Sequence, residues 1–193
     1  ENGITLTSPD GVTWTARTSG TTSTLRGVVW SGSRFVAVGD NGAIRVSEDG
    51  ITWTVANSGT SGTLYDIAWS GSLFVALGPN AHIFTSPDGM TWKAGQTSVS
   101  LRTLIRIAWG DNQFVAVGSY GVIHTSPDGA TWTARFSGET QDLTGVIWDG
   151  GQFVAVGWSP TVLASPDGVD WTKRTFIDNY STLRGIRDRK SVV

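Results

Sequence analysis

The chain contains no cysteine, which excludes disulfides, thiolate metal sites and cysteine nucleophiles and leaves the redox compartment open. Charge is scarce too: 16% of residues are Asp, Glu, Lys or Arg, and the formal net charge is −2. Without a basic excess, no long-range field draws the chain to nucleic acid. No apolar run approaches the ~18 residues that a membrane-spanning helix needs, so no span is expected. The two histidines, His82 and His124, have no carboxylate at ligand or triad spacing. Both are read as surface or satisfied strand residues, and neither metal nor cofactor is expected. Phosphate loops, dinucleotide fingerprints and nucleophile elbows are all missing. The chain starts at Glu1 with neither methionine nor a signal-like segment, and is read as a piece of a longer protein.

What the sequence does have is a repeat. Ser-Pro-Asp-Gly or a close variant occurs five times at intervals of 39, 39, 40 and 39 residues, each followed three residues later by tryptophan. The copies are Ser8, Asp10 and Trp14; Ser47, Asp49 and Trp53; Ser86, Asp88 and Trp92; Ser126, Asp128 and Trp132; and Ser165, Asp167 and Trp171. Such a period covering nearly all 193 residues argues for a single domain over 1–193 built as a closed array.

Within each repeat four β-type segments alternate with glycine- and serine-rich turns. The first runs over Leu25–Trp30, Leu64–Trp69, Leu104–Trp109 and Leu143–Trp148. The second is a dense apolar run beginning at Phe35, Phe74, Phe114 and Phe153, suited to a strand buried on both faces. Asp40-Asn41-Gly42 then predicts a tight hairpin of the primed type. A third strand, Ala43–Val46, leads into the Ser-Pro-Asp-Gly turn. The fourth strand is expected to carry the tryptophan, as in Thr52-Trp53-Thr54, with the indole folded between blades as their main cement. Four antiparallel strands per repeat make a propeller blade, so the fold expected is all-β, a five-bladed β-propeller. Its ring is expected to close by the N- and C-terminal strands sharing one blade, composed of residues 1–20 and 182–193. There Arg187-Asp188-Arg189-Lys190 replaces the usual apolar run, so the last blade either has three strands or borrows one from another chain. A monomer is expected otherwise.

The Ser-x-Asp-Gly turns with their tryptophans resemble the Asp-box, or bacterial neuraminidase repeat, short of one residue between Asp and Gly. Combined with the Phe-Val-Ala-Val-Gly strand, they look most like the repeats of photosystem II assembly-factor-type propellers and bacterial surface propellers. That resemblance implies a structural role for the turns, a ligand entrance on the opposite face, and a bacterial secreted or cell-surface setting. A sialidase would need an arginine triad and a tyrosine–glutamate pair. The three tyrosines and three glutamates do not pair by repeat position, and the first strands offer one carboxylate, Asp66, with Asp188 in the tail. Catalytic residues are therefore not assigned.

The turns between second and third strands vary where the Ser-Pro-Asp-Gly turns do not: Asp40-Asn41-Gly42, Pro79-Asn80-Ala81, Ser119-Tyr120-Gly121 and Trp158-Ser159-Pro160. Loops on a rigid scaffold are the usual seat of function. Trp158 stands outside the repeated tryptophan positions and is a candidate anchor. At the channel mouth, matched positions carry Arg26, Tyr65 and Arg184, then Asp66 and Arg106. Together they suggest a basic funnel for an anionic group or, as the plainer alternative, an Asp66–Arg106 ion pair with solvated arginines. The function expected is a non-catalytic binding or scaffold module for a protein segment or anionic group. The alternatives are a glycan-binding lectin and a recently amplified or engineered repeat without a ligand.

Overall fold

The computed structural model describes residues 3–96, 102–159, 161–174 and 186. Among them strands and turns account for all regular structure, with three short 3-10 turns and no α-helix. The first sheet is a hairpin of β1 (Ile4–Thr7) and β2 (Thr15–Thr18). Four four-stranded antiparallel sheets follow in strict chain order. They are β3 (Leu25–Trp30), β4 (Phe35–Gly39), β5 (Ala43–Ser47) and β6 (Thr54–Asn57); then β7 (Asp66–Trp69), β8 (Phe74–Leu77), β9 (His82–Ser86) and β10 (Lys93–Gln96); then β11 (Leu104–Gly110), β12 (Gln113–Gly118), β13 (Ile123–Ser126) and β14 (Thr133–Arg135); and last β15 (Leu143–Trp148), β16 (Phe153–Gly157), β17 (Thr161–Ser165) and β18 (Thr172–Lys173). These sheets are the blades of a five-bladed β-propeller, with β3, β7, β11 and β15 side by side around its axis.

The period-2 geometry of the second strand explains the packing. Val36 and Val38 of β4 point forward into a cluster with Ile67, Phe74 and Phe84 of the next blade, while Phe74 and Ala76 of β8 point back into that same cluster. Two further interfaces repeat it, with Val75 and Leu77 against Phe114, and Val115 and Val117 against Phe153. The strand is thus buried on both faces, as its composition predicted. Each of the buried phenylalanines contributes about 2–3 kcal/mol by the area it removes from water. The tryptophan ending each first strand leans on the phenylalanine opposite it, at centroid distances of 4.4, 4.1, 4.5 and 4.7 Å.

The other tryptophans differ from expectation. They precede the fourth strands, which begin at Thr15, Thr54, Lys93, Thr133 and Thr172. Each indole N–H donates to the carbonyl of its own turn's glycine, from 2.8 Å at Trp92 to 3.3 Å at Trp14. Trp132 is buried in the second inter-blade cluster and Trp92 and Trp171 pack on the first and third, while Trp14 is exposed, so the indoles staple their own turns and in three blades also add to the contacts between blades that the apolar strands make. The Asp40-Asn41-Gly42 connection is likewise a three-residue 3-10 turn in place of a two-residue hairpin, although Asn41 (φ 57°) and Gly42 (φ 66°) adopt the positive φ predicted. His124 is buried in its strand with Nδ1 unpartnered among the described residues, which corrects the reading of it as a surface or satisfied residue.

Gly27 marks the closest approach of two first strands. A Cβ there would stand 2.8 Å from Asp66 Oδ1 and 3.3 Å from the Ile67 nitrogen. Gly145 meets the Ile186 nitrogen in the same manner, at 3.0 Å, so Ile186 sits beside the last blade as Ile67 sits beside the second. Residues 1–2, 182–185 and 187–193 of the expected shared blade lie outside the described residues.

Candidate functional site

Antiparallel blades send alternate connections to opposite ends. The Ser-Pro-Asp-Gly turns occupy one rim, and the 3-10 turns with the blade-to-blade connections occupy the other. On the first rim, Asp88 Oδ1 accepts the backbone N–H groups of Met90 (2.8 Å) and Thr91 (2.7 Å) and the Ser86 hydroxyl (2.9 Å). Asp10, Asp49, Asp128 and Asp167 do the same within their own turns. These donors hold the carboxyls of Asp10, Asp49 and Asp88 down to about 2. The Asp88 carbonyl also takes a hydrogen bond from Arg34 of the preceding blade (3.0 Å), and the Asp167 carbonyl takes one from Gln113. These aspartates order their own turns and clamp neighbouring blades.

On the opposite rim the funnel residues divide. Arg26 grips Asp40 with both ends of its guanidinium, Nε to Oδ1 at 2.5 Å and Nη2 to Oδ2 at 3.0 Å, while Thr63 donates to Asp40 Oδ1 at 3.0 Å. That pairing raises the pKa of Arg26 and lowers that of Asp40, and it commits the arginine. Tyr65 is half-buried against the second interface cluster. Asp66 Oδ2 accepts the Ile107 backbone N–H of the next blade (3.1 Å), which links neighbouring first strands. Arg106 folds back onto the Ile105 carbonyl (2.9 Å). Arg184 lies outside the described residues. Among the described funnel residues, Arg26, Asp66 and Arg106 are thus each engaged by neighbouring groups.

A second constellation on this rim joins Trp158, a candidate already read from the sequence, to Tyr120 and Asp142, which were not singled out there. Tyr120 and Trp158 are 63% and 53% exposed, on turns of adjacent blades. Asp142 holds both turns: its Oδ1 accepts the Tyr120 N–H at 2.9 Å, and its carbonyl accepts the Trp158 N–H at 3.0 Å. The Arg102 guanidinium lies 5.2 Å from the Tyr120 ring centroid and donates to the Tyr120 carbonyl at 2.9 Å. Tyr120 adopts φ 57°, ψ 36°, a left-handed conformation that Asn41 and Asn80 occupy in two other blades. Asparagine tolerates it; an aromatic residue does so at a cost, and such strain concentrates at functional sites. The sequence signals were Tyr120 at an asparagine position and Asp142 where Thr24, Thr63 and Thr103 stand.

Two open clefts lie at the ends of the blades. An open cleft of ≈ 290 Å³ lies beside Asn41, Arg45 and Thr60, and another of ≈ 340 Å³ at the opposite rim beside Arg34, Asp49 and Met90. Both are at the lower limit for small-molecule sites. Among the described residues no cluster of three or more His, Asp or Glu side chains is placed to hold a metal.

No protein-family model and no curated protein matches the chain. Solved structures do. The chain is similar to YCF48 from Cyanidioschyzon merolae, with a TM-score of 0.65 and 21% identity over 82% of this chain and 59% of that one. It is also similar to YCF48 bound to D1 peptide, with a TM-score of 0.68 and 19% identity over 88% of this chain and 60% of that one. The chain thus spans about 60% of the length of these structures, and at such identities what is shared is the propeller fold.

Proposed function

We propose that the chain is a non-catalytic binding module that recognises an extended protein segment across the rim opposite the Ser-Pro-Asp-Gly turns. The observation that carries this reading is the Asp142 brace, which fixes two exposed aromatic residues, Tyr120 and Trp158, on neighbouring blades. Rigid aromatic anchors give large contact area for little entropy loss, and such residues dominate binding hot spots. The small clefts suit a segment lying over the rim better than an enclosed substrate. One similar structure is a propeller with a bound peptide, which agrees with the reading.

A lectin is the second reading, because the exposed faces of Tyr120 and Trp158 also suit stacking on a pyranose ring. A phage-displayed random dodecapeptide library panned on the protein, beside a glycan array, separates the two. Recovered peptides are expected to lose at least tenfold in affinity for Trp158→Ala and for Tyr120→Ala. Peptides indifferent to both, or glycan binding alone, would overturn the reading.

A further inference from the structure

Phe136 is 87% exposed, the most exposed large apolar side chain among the described residues. The matching positions in three other copies carry the polar residues Thr18, Asn57 and Gln96, each the last residue of a paired fourth strand. β14 stops one residue sooner, at Arg135, so Phe136 stands past the end of its strand, where the chain turns onto the rim. The connection over residues 136–142 then leads to the last blade, and both exposed aromatic residues of the rim site are fixed to it. Gly121, next to Tyr120, lies against Ser137 and Glu139, and Asp142 at the far end holds the Tyr120 and Trp158 backbones. Phe136 therefore sits at the outer end of this connection, with Tyr120 and Trp158 about its inner end. The backbone between the two ends spans at most about 22 Å, within reach of one short extended segment.

The charged groups along the connection are already engaged. Glu139 pairs with Lys173 of the last blade at 2.7 Å, Asp142 accepts the Tyr120 N–H, and Arg102 lies over the Tyr120 ring while donating to its carbonyl. A charged ligand would have to compete with these contacts, whereas the three aromatic side chains are open to solvent. We infer, building on the rim reading above, that Phe136 is a third anchor of the site and that its occupant is an uncharged extended segment. Apolar side chains at one end of that segment cover Tyr120 and Trp158, and those at the other end cover Phe136. Affinity then comes from apolar burial, which salt does not screen.

The test titrates dodecapeptides selected on the wild-type protein by fluorescence anisotropy against wild type, Phe136→Ala, Phe136→Leu and Trp158→Ala. Phe136→Ala is expected to weaken binding about fivefold or more without moving the melting temperature, since the ring is exposed, and Phe136→Leu to restore most of the loss. Raising sodium chloride from about 50 to 500 mM should change affinity less than about twofold. Unchanged binding in Phe136→Ala, with a tenfold loss in Trp158→Ala, would overturn the third anchor and leave the rim reading standing. Peptides indifferent to all the variants, or no peptide recovered, would overturn both. A tenfold loss in high salt would assign the site to a charged segment, and a Phe136-dependent dimer without peptide would assign it to a second copy; either overturns the inference.

Discussion

The backbone N–H of Tyr120 donates to Asp142 Oδ1 at 2.9 Å, so the turn of one blade is braced by the connection that enters the next. Asp142→Ala removes that acceptor but leaves the carbonyl that holds Trp158. The expected loss is about 1 kcal/mol in urea unfolding, with Asp142→Asn near wild type because its amide oxygen still accepts. Faster hydrogen exchange at the Tyr120 amide in Asp142→Ala would locate the effect.

His124 makes stability depend on pH near neutrality. Burial pushes its pKa below the usual 6.5. As pH falls through 6.5, the unfolded chain takes up a proton that the folded chain refuses, so stability is complete above that value and declines below it. Phe84 occupies the matching strand position in the blade before. His124→Phe should therefore remove most of the fall in melting temperature between pH 7 and 5. It should also add about 1 kcal/mol by eliminating the unpartnered Nδ1.

The turn aspartates act in a more acidic window. With the carboxyls of Asp10, Asp49 and Asp88 held at about 2, against 3.8 unperturbed, their contribution is present above the unfolded value and lost as pH falls from 3.8 toward 2. Asp88→Ala should lower the melting temperature by a few degrees and flatten its acid limb. Binding of a rim-selected peptide should be unaffected, because the turn faces the other end.

Among the described residues, Arg45 is buried without a carboxylate partner. It donates to the carbonyls of Ser19 (2.9 Å), Gly20 (3.2 Å) and Ile44 (2.9 Å), which ties the N-terminal hairpin to the first complete blade. Arg45→Ala should cost ~3 kcal/mol by stranding these acceptors. Arg45→Lys should recover little, since a single ammonium lacks the reach of the planar fork. Chemical denaturation of both variants decides this.

Blade register was legible because it rests on local chemistry repeated in every copy. Leu25–Trp30 and Leu143–Trp148 are strands as read, and Ser-Pro-Asp-Gly turns lie at every expected place. The second first-strand was read from Leu64 but begins at Asp66, whose carboxylate reaches to Ile107 of the neighbouring blade. The site was harder to read because its decisive contacts join residues about 20 positions apart on different blades. Matched positions placed Arg26 at the channel mouth, yet nothing in the repeat said that Asp40, where other copies have Pro79, Ser119 and Trp158, would engage it. Tyr120 and Asp142 were departures from the repeat, and a reading built on what recurs passes over them.

The central claim is that Tyr120 and Trp158 act together as the anchor of a rim site. A calorimetric double-mutant cycle with one library-selected peptide, comparing wild type, Tyr120→Ala, Trp158→Ala and the double variant, tests it most directly. At least tenfold loss is expected for each single variant, with a combined loss smaller than the product of the two, as for side chains gripping one segment. Full affinity in the double variant, or binding lost instead on Asp88→Ala at the opposite rim, would contradict it.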